Sequence, residues 1–187
     1  IAVAGKYIYV GGFISNVGGN ANANYIARWN TVTMYWEDVG GGLDSTVMCL
    51  LAEGRDVYAG GIFTQAGGAT GFTHIARWDG SSWNPLDSGL SDVPYAMAQY
   101  GSELIVGGSF TGAGGVTDTN HIARWDGSNW NAMRNGLNNN VTVLAVVGPK
   151  IIAGGSFINA GEYAAADYIA RWGTKYYYAY LPMIKKP

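Results

Sequence analysis

An all-β fold built from four copies of one sheet unit is predicted by three features of the sequence. The tripeptide Ala-Arg-Trp recurs, ending at Trp29, Trp78, Trp125 and Trp172. A glycine pair precedes it each time, at Gly11-Gly12, Gly60-Gly61, Gly107-Gly108 and Gly154-Gly155, with the first glycine 18 residues before its Trp. The chain is rich in Gly (29), Tyr (13) and Trp (7), a composition of turn formers and strand formers. Successive Trp residues stand 49, 47 and 47 apart, a period that belongs to a repeat architecture.

Each copy reads as four short strands. Strand one is an apolar stretch: Ile1 to Ala4, Val47 to Ala52, Tyr95 to Ala98 and Val141 to Val147. Strand two runs into the glycine pair, as in Tyr7-Ile8-Tyr9-Val10 and Leu104-Ile105-Val106. A loop of small polar residues leads to strand three, Tyr25 to Trp29 and its equivalents. There Ile and Arg share one face while Ala and Trp share the other. Asp79-Gly80 and Asp126-Gly127 then read as two-residue hairpin turns. Strand four carries Trp36, Trp83 or Trp130, each seven residues before the Leu of a Gly-Leu pair at Leu43, Leu90 and Leu137. The two extra residues of the first copy fall between Trp29 and Trp36, in the strand three to strand four turn, where length is least costly.

Four strands in about 47 residues cannot cover both of their faces, so the copies must stack on one another. Radial stacking gives a four-bladed β-propeller, with one four-stranded antiparallel sheet per repeat. The expected organisation is one domain over 1–187, with blades at about 1–43, 44–90, 91–137 and 138–187. The Gly-Gly, Arg-Trp-Asp-Gly, Trp order resembles a kelch-like propeller repeat. It is closer still to the Gly-Gly-x-Phe…Ile-Ala-Arg-Trp-Asp-Gly repeats of secreted and cell-surface bacterial proteins. The resemblance covers essentially the whole chain and implies a propeller, with an extracellular or cell-surface setting. It does not transfer an activity, because propellers host many. Galactose oxidase-like propellers are the nearest enzymes, and they need copper ligands that this sequence does not supply.

A charged fraction of 13% and a net charge of −2 give no electrostatic footprint for nucleic acid, and low charge favours association. No apolar run approaches the roughly 20 residues of a membrane-spanning helix. Ile1-Ala2-Val3 already reads as strand, which implies a removed leader or a longer parent chain. Cys49 is the only cysteine and sits in an apolar run, as a small hydrophobe would.

No catalytic constellation stands out, and no cofactor or metal is expected. Arg28, Arg77, Arg124 and Arg171 could form an anion-binding ring. A residue kept in every blade, however, usually serves the blade, paired with an acid and stacked on an aromatic ring. His74 and His121 occupy positions filled by Tyr25 and Tyr168 in the other copies, and they lack the companions of a zinc site. The repeat residues expected to be structural are therefore the four Gly-Gly pairs and the four Arg-Trp pairs. The loops 15–24, 65–73, 112–120 and 158–167 are nearly uncharged; they read first as small-residue turns, and as a binding surface they suit glycan or protein.

The last copy departs from the pattern in Tyr176, Tyr177, Tyr178, Tyr180, Leu181 and Ile184, an aromatic strand that either completes blade four or docks on another subunit. The expected function is a non-enzymatic, extracellular structural protein that self-associates into an oligomer, filament or tube. The alternative is a carbohydrate- or protein-binding module of a larger cell-surface protein.

Overall fold

The computed structural model describes residues 1–160 and 168–173. Every repeat forms an antiparallel sheet. Sheet one contains β1 (Ala2–Ala4), β2 (Tyr7–Gly11), β3 (Ile26–Asn30) and β4 (Tyr35–Asp38), in that order. Sheet two contains β5 (Val47–Glu53), β6 (Asp56–Gly61), β9 (Ile75–Trp78) and β10 (Trp83–Pro85). Its loop adds a two-stranded ribbon of β7 (Gln65–Ala66) and β8 (Ala69–Thr70). Sheet three contains β11 (Pro94–Tyr100), β12 (Glu103–Gly108), β13 (Ile122–Trp125) and β14 (Trp130–Ala132). Sheet four has β15 (Val141–Val147), β16 (Lys150–Gly155) and β17 (Ile169–Trp172) among the described residues. The tyrosine-rich stretch expected either to supply its fourth strand or to dock on another subunit, with Tyr176, Tyr177, Tyr178, Tyr180, Leu181 and Ile184, lies outside them.

Two compact units divide the chain, Ile1–Pro94 and Tyr95–Pro187. In the first, Ala2, Tyr9 and Ile26 of sheet one share a core with Val57, Ala59, Ala76 and Trp78 of sheet two. In the second, Ile105 and Ile122 of sheet three share a core with Val141, Ile151, Ala153, Ala170 and Trp172 of sheet four. The same rule holds in both. The side of a sheet that carries the Ile of Ile-Ala-Arg-Trp covers the side of the following sheet that carries Ala and Trp. Strand periodicity fixes this division, because alternate residues point to opposite sides.

The two glycine positions of the pair meet different neighbours in different copies. A Cβ on Gly11 would stand 2.6 Å from Cγ1 of Val47, and one on Gly107 would stand 2.4 Å from Cγ1 of Val141. The first glycine thus lets strand one of the following sheet settle onto strand two. A Cβ on Gly61 would stand 2.1 Å from the Thr46 carbonyl, and one on Gly155 2.0 Å from that of Asn140. There the register of strand one shifts, between Val47 and Cys49 and between Val141 and Val143. This β-bulge brings backbone over the second glycine.

The turns differ from expectation. Two-residue hairpins join strands one and two instead, with Ala4 paired to Tyr7, Glu53 to Asp56 and Val147 to Lys150. Their first residues, Gly5, Gly54 and Gly148, have φ near +60°, which suits glycine at that place. Between strands three and four, Trp78 pairs with Trp83 and Trp125 with Trp130, leaving four-residue turns rather than the two-residue ones expected at Asp79-Gly80 and Asp126-Gly127. Gly80 and Gly127 have φ +99°. Each Asp instead curls its carboxylate back onto the turn. Asp79 accepts from the amides of Ser81 and Ser82 at 2.8 Å. Asp126 accepts from those of Ser128 and Asn129 at 2.9 and 2.8 Å.

These hydrogen bonds pull both carboxyls below their ordinary 3.8. For Asp79 the Ser81 amide contributes most; for Asp126 it is the Asn129 amide. The folded chain therefore favours the charged form. Its contribution is complete above the unfolded value and is lost as pH falls through the depressed folded one. Urea midpoints measured from pH 5 down to pH 2 are expected to fall less steeply for Asp79→Asn with Asp126→Asn than for the parent.

Candidate binding site

Alignment on the first glycine of each pair shows where the copies diverge. Four residues before it stand Tyr7, Asp56, Glu103 and Lys150, and five before it Lys6, Arg55, Ser102 and Pro149. In sheets two and three the acid answers the repeat arginine. Arg77 bridges Asp56 at 3.4 Å, and Arg124 bridges Glu103. In sheet one, Tyr7 takes the place of the acid, and the guanidinium carbon of Arg28 lies 4.2 Å from the centre of its ring. The carboxylate has moved across to strand four, where Glu37 takes Arg28 Nη2 at 2.9 Å and Nε at 3.0 Å. Arg28, Arg77 and Arg124 thus each have an acid on their own sheet. Arg171 lies on β17, in register with Ile152.

A cavity of about 590 Å³ within the first unit is lined in part by Tyr7. Sheet one contributes the Gly5-Lys6 turn, Tyr7, Tyr9 and Arg28; sheet two contributes the Gly54-Arg55 turn with Asp79 and Gly80. Lys6 Nζ lies 5.1 Å from the Tyr7 ring centre, and Tyr7 meets Tyr9 edge-on at 6.1 Å. Tyr9 is buried, while Lys6 and Arg55 are exposed at the rim. Sequence reasoning passed over Lys6, Tyr7 and Arg55 because each looks like ordinary variation within one copy. The signal becomes visible only when the copies are compared position by position.

The Trp residues are cross-strand pairs. Trp29 with Trp36, Trp78 with Trp83 and Trp125 with Trp130 each have ring centres 5.4 Å apart. Trp83 also donates Nε1–H to the Val39 carbonyl of sheet one at 2.9 Å. The Tyr25, His74, His121 and Tyr168 position is left-handed in all four copies, with φ from +60 to +66°. Its amide donates to the carbonyl of Ile14, Phe63, Phe110 or Phe157, and its carbonyl accepts from the second glycine of the pair. His74 Nδ1 lies 3.1 Å from the Gly61 carbonyl. Position and bonding make this residue a hinge between loop and strand three. Among the described residues, no group of three His, Cys, Asp or Glu is placed to hold a metal ion. Cys49 is half-buried, and burial pushes its thiol up to about 12, far from the thiolate that reactivity requires.

No family model and no curated protein matches the sequence. Solved structures do. The computationally designed Ika4 protein aligns at a TM-score of 0.54 and 17% identity, over 92% of this chain and 89% of that one. The designed Ika8 protein aligns at 0.50 and 19%, over 82% and 41%. A chain of a mitotic checkpoint complex aligns at 0.51 and 16%, over 81% and 44%. This is a likeness of fold. Together with the sheet-per-repeat order it puts the chain in the β-propeller class. The chain spans less than half of the Ika8 and checkpoint chains. No helix among the described residues is long and apolar enough to cross a membrane.

Proposed function

We propose that this kelch-like chain is a non-enzymatic structural module that self-associates head to tail through its first and fourth sheets. One observation carries the reading: among the described residues, sheet one on its Trp side and sheet four on its Ile side expose apolar residues, where the matching Trp and Ile inside each unit are buried. Trp78 and Trp172, on the covered Ala/Trp side, are buried, whereas Trp29 of sheet one is only half-buried and Val3, on the same side across Ile8, is 64% exposed. On the Ile side, Ile26 and Ile122 are fully buried, whereas Ile169 of sheet four is 48% exposed, with Val147 at 62%. A second copy can offer Val3 and Trp29 to the Ile169 and Val147 side, repeating a contact that the chain already makes within each unit. Because the two sides differ, the contact is heterologous and propagates. The extracellular or cell-surface setting rests on the resemblance of the repeat units to those of secreted bacterial proteins.

Light scattering on a sizing column, over a dilution series of the whole chain, is expected to show concentration-dependent species larger than a monomer. Val3→Lys and Val147→Lys change exposed positions, and each alone is expected to leave a folded monomer. Mixed, they are expected to give one-to-one dimers, because each keeps the side that the other has lost. A wild type that stays monomeric at every concentration overturns the proposal. So do single variants that still polymerise.

A further inference from the structure

The cavity between sheets one and two owes its charge to departures from the repeat. Its two rim turns are Gly5-Lys6 and Gly54-Arg55, whereas the matching turns of sheets three and four are Gly101-Ser102 and Gly148-Pro149. Cations thus stand only on the two turns that flank the cavity. Among the described residues, no carboxylate lies within ion-pair distance of Lys6 or Arg55. The cation beneath them, Arg28, is held by Glu37 on one side and the Tyr7 ring on the other. Asp79, with its amide-bound carboxylate, and Gly80 complete the lining.

The geometry points to this cavity as a binding site for an acidic oligosaccharide, one whose sugar rings carry carboxylates. Two cations on separate turns match acid groups that are spaced apart, not one compact ion. Asp79 in the same lining is held by the Ser81 and Ser82 amides and by Asn84, and its charge disfavours a compact polyanion more than one whose acid groups are spaced by neutral ring atoms. At about 590 Å³ the space is within the roughly 300–1,000 Å³ of small-molecule sites. A single sulfate or phosphate would leave most of it to water. The inference is independent of self-association, because Lys6 and Arg55 belong to neither uncovered side.

Calorimetric titration of the whole chain with tetragalacturonate tests the site, with a neutral galactose tetrasaccharide and sodium sulfate as the other arms. Saturable binding of the acidic sugar is expected, weakening as salt is raised. Lys6→Gln and Arg55→Gln should each lower affinity about tenfold, the loss of one charge-assisted contact. Both residues are exposed, so thermal melts should be unchanged. Lys150→Gln, in sheet four, should have no effect on binding. Equal binding of the neutral sugar overturns the inference, as does sulfate binding as tightly as the oligosaccharide. It also fails if tetragalacturonate does not bind, or if Lys6→Gln and Arg55→Gln bind it as the parent does.

Discussion

Gly61→Ala is expected to destabilise the protein by about 3 kcal/mol or more, within the range of severe overpacking. For a chain of this size that lowers the melting temperature by roughly 6–12 °C. The added methyl would meet the Thr46 carbonyl at 2.1 Å and the Val47 Cα at 2.9 Å. Neither is the free end of a side chain. The Thr46 carbonyl is itself held by the Ile62 amide at 2.9 Å, so relief would require breaking the bulge that sets the register of β5 on β6. Gly155→Ala should behave alike, because Asn140 repeats the arrangement and its carbonyl is held by Ser156 at 2.9 Å. Gly148→Ala is the matched control. Its Cβ would meet nothing within 4 Å, and only a φ of +56° opposes it, a cost of about 1–2 kcal/mol. Thermal melts of the three variants separate the crowding effect from the backbone effect. Equal losses would show that crowding at the bulge is not what demands glycine there.

Trp78→Ala is expected to cost about 3–5 kcal/mol, as for other large buried aromatic residues. The ring lies over Gly40 of sheet one, where a Cβ would stand 2.3 Å from its Cζ3, and it packs on Trp83. Removing it opens a void between two sheets and also undoes a ring pair. Trp29→Ala removes the same residue from the same place in the repeat, but from a half-buried setting, and should cost less than half as much under dilute, monomeric conditions. Denaturant unfolding of both variants gives the comparison directly. If Trp29→Ala proved equally damaging in the monomer, the outer side of sheet one would have to be covered already, and head-to-tail association would lose its surface.

The fold was legible because the repeat states its own rules four times. Ile-Ala-Arg-Trp assigns sides by alternation, and Ala76 and Ala170 are both buried in a core shared with the preceding sheet, as a side packed against a neighbouring sheet demands. Hairpin geometry was less legible. Asp-Gly suggests a two-residue turn, but the carboxylates of Asp79 and Asp126 gather amides from two and three residues ahead, and this holds the chain in a wider loop. Left-handed backbone at Tyr25, His74, His121 and Tyr168 was hidden because these residues rarely adopt it. Only the carbonyl and amide partners of the loop impose it. The candidate site was hardest to see. It depends on Tyr7 standing where Asp56 and Glu103 stand in other copies, and a family-like pattern draws attention to what recurs.

The two unlike sides of each sheet also govern how such a chain can change in length. A sheet that accepts on one side and donates on the other is a directional tile, and tiles of this kind add in one order only. Duplicating a whole period of about 47 residues would insert a tile that already fits both of its neighbours. Losing half a period would leave a truncated sheet too narrow to cover either neighbour. Stability in such a series grows by the intrinsic worth of each tile plus one joint. Gene duplication in whole periods is therefore the least costly way for this architecture to grow.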